Sequence, residues 1–535
     1  MNLIGVDVGT GSARAGVFDA SGRMLASAKR DITLHRGPGA MVEQSSAEIW
    51  AAVCASVREA LAASGVAPAS VGGVGFDATC SLVVLGPGGQ SLPVGPSEDP
   101  ARDIIVWMDH RAVDQAARIN AGGHPVLTYV GGVISPEMET PKLLWLAENR
   151  PEVFAQAWQF FDLADFLTWR ATGSLARSSC TVTCKWTYLA HESRWDPEYF
   201  RAIGLGALAD EGFARIGTEV VAPGARVGGL TDQAAAELGL VAGTAVAAGL
   251  IDAHAGGVGT VGALGEPEAS MAYVFGTSSC TMTTTREPVF VPGVWGPYFS
   301  AMVPGVWLNE GGQSAAGAAI DHLVAFHPAA PALRDQARAE GLSLLAWLTR
   351  AVGERAPDLS QAARLAAGLH VVPEFLGNRA PFADPHARAV IAGLGMETDA
   401  ESLIALYVAG LCGVGYGLRQ IVETQAAHGA PIARLMISGG AGASDLSRQI
   451  LADAAGKPVV AVTAEEPVLL GAAILGAAAA GVHGDLAAAM AAMSAPGRTY
   501  APAGGEIAEL HAGRYAAFQS LQSVARSIRK SEGAA

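Results

Sequence analysis

The chain has 535 residues, 50% apolar and 16% charged, and 35 lysines and arginines against 50 aspartates and glutamates give a formal charge of −15. This composition excludes a disordered segment or a disulfide-stapled miniprotein, and its acidic balance argues against general affinity for nucleic acid or an anionic membrane. At roughly 100 to 200 residues per domain, two or more domains with a cleft between them are expected.

The N-terminus enters directly on an apolar run at 3–8, with no basic segment or cleavage site before it, so no export signal is expected. The six cysteines are scattered, the closest pair, Cys180 and Cys184, lacks a second Cys or His pair at zinc-ligand spacing, and all read as reduced thiols in a cytoplasmic protein. The run at 3–8 is followed by the turn GTGS, a second run ARAGVFDA, the turn SGR and a third run from Met24, which predicts an antiparallel hairpin opening a domain. Helices over 46–63 and 140–148 and strands over 71–76 and 104–107 follow, an α/β alternation. The opening pattern recurs at 270–293: SMAYVF, the turn GTSS, CTMTTT, then REP and the run VFVPG. An internal duplication follows, with its boundary near 245–250: an N-terminal domain 1–248 and a C-terminal domain 249–535. In the second half a helix over 401–428, a strand over 434–438, a glycine-rich turn, a helix over 446–455, a strand over 458–462 and an alanine-rich helix are predicted. Residues 328–369 read as a helical insertion and 506–530 as a terminal amphipathic helix. The longest uncharged run, 468–482, is too short for the ~20 residues a bilayer span needs and predicts a buried helix.

With so acidic a chain, any bound phosphate must be held locally. The turn Gly9, Thr10, Gly11, Ser12 offers backbone N–H groups and hydroxyls, Arg14 adds a cation, and Asp7 at the strand end can hold hydrated Mg²⁺. Alone, this reads first as an ordinary hairpin turn with an exposed Asp, since glycine-rich turns are common; the matching turn at Gly276 and Thr277 favours a clamp on a polyphosphate. A third glycine-rich turn, 438–444, suits close approach to a base or sugar, with helix capping by Ser444 as a compatible alternative. No GxxxxGK[ST] motif occurs, and the glycines at 257–262 match GxGxxG but are better explained by close helix packing.

Taken together, DVGTGSARAGVFD at the start, GLIDAHAGGVG at 249–259, FGTSS at 275–279, NEGGQSAAGA at 309–318 and SGGAGAS at 438–444 resemble the FGGY carbohydrate kinases over roughly 3–482. The resemblance implies an α/β fold of two ribonuclease H-like, actin-like ATPase domains flanking a cleft for ATP and Mg²⁺, with the sugar held mainly by the first domain. It implies that Asp252 is the general base, although capping of the helix it starts is a compatible alternative. Gly317 and Gly440 should line the nucleotide cleft with Gly276 and Thr277, and Ser444 is expected there too.

The segments at 76–80, 107–111, 184–186 and 309–314 look like the ribulokinase branch, in particular D-ribulokinases and ribitol kinases. In that branch Lys185 and Glu310 would bond sugar hydroxyls while Asp77 and Asp109 shape the pocket. Bland alternatives stand beside these: a surface lysine, a first-turn carboxylate, and an ion pair of Asp109 with Arg111. His110 and His254 are expected to be structural. The expected activity is ATP-dependent phosphorylation of a pentulose, D-ribulose first, with ribitol, L-ribulose or D-xylulose as alternatives. A non-catalytic actin- or Hsp70-like switch is the reading from another class. The expected partners are a small sugar or polyol and ATP, with no nucleic acid and no membrane; a homodimer is left open.

Overall fold

In the computed structural model, which describes residues 1–531, two seven-stranded sheets carry the same pattern. In the first, Asn2–Val8 and Ser12–Asp19 form the expected antiparallel hairpin, and Met24–Asp31 extends it. The chain then crosses over through the helix Ser46–Ser64, started by Ser45, whose hydroxyl accepts from the Glu48 N–H, and stopped by left-handed Gly65. It returns as Val71–Ala78, parallel to Asn2–Val8, and Ala245–Ala247 adds a further parallel strand. The second sheet repeats this with Ser270–Phe275 and Ser279–Thr285 antiparallel and Arg434–Ser438 and Val459–Val462 parallel. Both sheets place an antiparallel strand at the outer edge, Arg226–Gly229 in one and Pro496–Tyr500 in the other.

Two helices fill the space between the sheets. Asp252–Val261, following the first sheet, packs on the second, and Pro467–Ala479, following the second, packs on the first. Their contact is backbone against backbone. A Cβ at Gly259 would overlap the Pro467 carbonyl oxygen, and one at Gly471 would overlap that of Ala255. Gly5, Gly73 and Gly75 are likewise pressed against the backbone of Pro467–Ala479. The glycines at 257–262 therefore serve helix packing, as the sequence suggested.

Two expectations change. The third strand of the second hairpin is Trp307–Gln313, not 289–293; Pro288 precedes that run and Pro292 lies within it, and both lack the N–H a ladder needs, while Val289 and Val291 pack into the core instead. The strand Leu250–Ile251 still pairs with Val71–Ala78, so the first sheet continues past the boundary expected at 248. Helix Ala400–Ala427 is long and apolar enough to cross a membrane by length and composition, but 78% of its most apolar window is buried, and it serves as a core helix. The insertion is helical, Ala330–Ala339 and Leu344–Arg355, and Gly505–Ser531 is the terminal helix.

Candidate active site

Three carboxylates meet at one end of the first sheet. Asp7 and Asp77 are register partners near the ends of parallel strands. Asp252 begins the helix that follows Leu250–Ile251, the strand paired with Asp77 and Ala78. Strand C-termini are where α/β sheets place ligands. Asp7 and Asp77 are buried, and neither oxygen of Asp77 has a hydrogen-bond donor. Burial, then the charges of Asp7 and Asp252, push Asp77 well above the usual carboxylate range. This hard oxygen set fits a small divalent cation such as Mg²⁺, which would relieve the repulsion. Burial and the charge of Asp7 also push Asp252 up to about 6, against the pull of the Ala253 N–H, His254 and Lys185.

Arg14, expected to hold anion, is committed otherwise. Its guanidinium pairs with Asp7, through Nε at 2.8 Å among other contacts, and reaches Glu466 at 2.8 Å. It neutralises the carboxylate instead of standing free over the turn. In that turn the Gly9 N–H closes on the Ser12 carbonyl at 3.0 Å, so it is not one of a row of free donors. Thr10 accepts from the Trp107 indole at 2.9 Å, leaving its own hydroxyl proton to donate. Gly11 has open space above it.

The nucleotide-end expectations converge on one cavity of about 420 Å³ lined by Gly276, Thr277, Gly317 and Gly440, with Asp321, Tyr407 and Ser447. Two turns at the same end of neighbouring parallel strands form it, because Val274 is the register partner of Ser438. The Gly317 N–H donates to the Gly276 carbonyl at 3.0 Å, and a Cβ at Gly317 would press on that carbonyl and on Ala441. Ser444 is outside the lining. Its hydroxyl caps helix Asp445–Ala455 by accepting from the Ser447 N–H at 3.0 Å, so the capping alternative holds, and Ser447 is the serine that faces the cavity.

Lys185 and Glu310 come together from different halves. Lys185 lies in the last turn of helix Ser179–Trp186, and Glu310 on the strand Trp307–Gln313 of the second sheet. Both are buried. Burial would lower the Lys185 pKa, but Cys80, Glu310, Tyr298 and Cys184 hold it well above its ordinary value. Burial would raise Glu310, but Lys185, His254 and Arg379 bring it down to about 2. The pair is ionised, and the Tyr298 hydroxyl beside it is buried without a partner. A polar site placed here takes Lys185 from the first half and Glu310 from the second.

Asp109 does not join them. Its carboxylate accepts from the Val42 N–H at 2.6 Å and the Arg111 N–H at 2.8 Å and pairs with the Arg111 guanidinium at 2.7 Å, all within the first domain. The ion-pair alternative is the correct one. His110 is half-exposed beside Glu137 at 3.2 Å. His254 is fully buried, with Nε2 at 3.2 Å from Glu310 and Nδ1 at 3.1 Å from Cys180 Sγ. Burial disfavours its charge, yet Cys180 and Glu310 lift it to about 10. Trp107, Arg379, Tyr298 and Ser447 were not singled out from sequence; only the aromatic or cationic character of the first three hinted at a site.

Duplicated sheets, two helices exchanged between them and glycine turns at the ligand end define a two-domain, actin-like ATPase fold. A family model described as the FGGY family of carbohydrate kinases, N-terminal domain, matches residues 2–259, and its C-terminal counterpart matches 271–480. The chain belongs to the FGGY family of carbohydrate kinases. It is 47% identical to the human FGGY carbohydrate kinase domain-containing protein, over 93% of this chain and 92% of that one. It is 39% identical to a D-ribulokinase of Saccharomyces cerevisiae, over 89% of this chain and 71% of the relative. A solved xylulose kinase from Rhodospirillum rubrum shares the fold at TM-score 0.81 and 23% identity, covering 99% of each chain.

Proposed function

We propose that the chain transfers the terminal phosphoryl group of ATP to a pentulose, D-ribulose giving D-ribulose 5-phosphate. The observation that carries this is the buried, oppositely charged pair Lys185 and Glu310 beside Asp252. A polyol enters such a site only if each hydroxyl it desolvates finds a partner, and charged groups with the unpaired Tyr298 hydroxyl supply them. The D-ribulokinase likeness supports a pentulose over glycerol.

Asp252 takes the proton of the attacking hydroxyl, and its raised pKa suits that task near neutrality. Lys185 and Glu310 fix the sugar so that one hydroxyl meets Asp252. Gly276, Thr277, Gly317 and Gly440 receive the nucleotide in the second-half cavity, and the turn from Gly9 to Ser12 meets the transferred phosphoryl group, with the Thr10 hydroxyl as donor. Asp7 and Asp77 would hold Mg²⁺, which when bound neutralises charge on phosphoryl oxygens. Arg14 keeps Asp7 oriented. Phosphoryl transfer depends chiefly on alignment and charge stabilisation, and these groups provide both.

Turnover with Mg-ATP and a panel of D-ribulose, L-ribulose, ribitol, D-xylulose and glycerol tests the reading. D-ribulose should have the highest kcat/KM. Turnover of glycerol alone would refute the pentulose assignment, and calorimetric silence with every sugar would favour a nucleotide switch.

A further inference from the structure

Beside the sugar-facing pair lies a cluster that phosphoryl transfer does not use. Cys180 and Cys184 sit one turn apart on helix Ser179–Trp186, and His254 reaches them from the helix between the two sheets. All three are fully buried, and their two sulfurs and imidazole nitrogen lie within 4.8 Å of one another. We infer that Cys180, Cys184 and His254 form a three-ligand site for Zn²⁺.

Spacing and orientation both support this. Residues four apart on a helix share a face, so the two sulfurs point the same way. Zn–S bonds of about 2.3 Å and Zn–N bonds of about 2.0 Å require donors roughly 3.5 to 4 Å apart. The Cys180 sulfur and His254 Nδ1 are at 3.1 Å, so a small outward shift admits the ion. The other imidazole nitrogen already faces the Glu310 carboxylate at 3.2 Å. A metal-bound histidine almost always donates its other N–H to a carboxylate, backbone carbonyl or water, which fixes the tautomer and aims the free nitrogen at the metal, and Glu310 is such a partner. The Ile251 N–H also donates to the Cys180 sulfur at 3.4 Å, the kind of support a bound thiolate keeps.

The charge balance selects the ion. Two thiolates and a neutral imidazole cancel a divalent cation, so the loaded site adds no net charge to a dry interior, whereas monovalent copper would leave one negative charge there. Whatever ionised groups the empty trio carries, loading must leave both sulfurs as thiolates and the imidazole neutral, so protons held by the three groups are released. Access is from the cleft, where Asp252 and Ala253, immediately before His254, are partly exposed. This site differs from the carboxylates at Asp7 and Asp77, whose oxygens suit Mg²⁺.

X-ray absorption on the full-length protein loaded with one equivalent of Zn²⁺ gives the direct test. A first shell containing two sulfurs is expected. A shell of oxygen and nitrogen alone, which binding at the Asp7 carboxylates would give, overturns the proposal. Co²⁺ replaces Zn²⁺ as an optical probe: a thiolate-to-cobalt absorption band should appear at one equivalent and be bleached by Zn²⁺. The band should be lost, or need at least ~10-fold more Co²⁺, in Cys180→Ser and Cys184→Ser, and persist in Cys54→Ser and Cys412→Ser. A band that appears in Cys184→Ser at one equivalent, as in the unaltered protein, overturns the proposal. Should a serine variant fail to fold, the sulfur count in the unaltered protein decides the matter.

Discussion

Replacing Asp252 by Asn keeps the side chain's size while removing its charge, and the two consequences have opposite signs. In the folded protein this carboxyl is moved from 3.8 to about 6, first by desolvation and then by Asp7. At about 1.4 kcal/mol per tenfold change in proton affinity, keeping it ionised near neutrality costs up to about 3 kcal/mol, and its partial exposure lowers this to about 1–2 kcal/mol. Because the folded pKa lies above the unfolded one, the folded protein binds the extra proton between about pH 4 and 6. The wild-type side chain therefore destabilises the fold fully above pH 6, and this penalty disappears as pH falls towards 4. Asp252→Asn should be more stable than wild type at pH 7.5, by about 1–2 kcal/mol, with the advantage fading through that window. Turnover should fall by about 10²-fold or more while ATP still binds. Urea denaturation at pH 7.5, 6 and 4.5, read with steady-state kinetics on D-ribulose, measures both. An unchanged kcat, or a variant less stable at pH 7.5 than at pH 4.5 relative to wild type, would refute the reasoning.

Other substitutions separate the remaining parts of the site. Glu310→Gln leaves Lys185 and His254 buried without their counter-charge; it should raise the sugar KM at least ~10-fold and cost about 3–5 kcal/mol in denaturant melts, with little change in nucleotide KM. A Cβ added at Gly440 would meet no protein atom within 4 Å, and this glycine faces the second-half cavity, so Gly440→Leu should raise the ATP KM at least ~10-fold and leave Tm unchanged, because the added side chain enters ligand space rather than core. Gly471→Ala forces a methyl onto the Ala255 carbonyl and should lower stability by about 1–3 kcal/mol in the same melts, with kcat falling as the helix carrying Asp252 shifts.

The features legible in the sequence were those made by neighbours along the chain. The hairpins at 2–19 and 270–285 pair residues across a single turn, so their alternation and turn chemistry announced them. The exchange of helices between sheets was not legible, because Gly259 meets Pro467 and Gly471 meets Ala255 across most of the second half; only the demand for glycine showed, without its partner. Charge partners failed in part for the same reason. Arg14 read as a free cation although its main partner, Asp7, lies opposite it in the same hairpin, because Asp7 read as the metal ligand; its second partner, Glu466, is 452 residues away and was not legible, while Asp109 with Arg111, two residues apart, stood as an explicit alternative. His254 read as structural because Cys180 and Glu310 are 74 and 56 residues distant.

The division of the proposed sugar-binding charges between halves has a mechanistic consequence for the proposed kinase. Lys185 belongs to the first half, Glu310 to the second sheet, and His254 to the helix packed between the sheets. Each of these buried charges is stable only with its counterpart near, since an unpaired buried ion costs several kcal/mol. A hydroxyl bonded to both Lys185 and Glu310 therefore favours the arrangement in which the halves are together. A single water lacks the several fixed hydroxyls with which a pentulose can bond both groups at once, so it contributes less to holding the halves together. On this reading the interaction that selects the sugar is also the one that suppresses idle hydrolysis of ATP, and weakening it at Glu310 should raise the ratio of ATPase to kinase turnover.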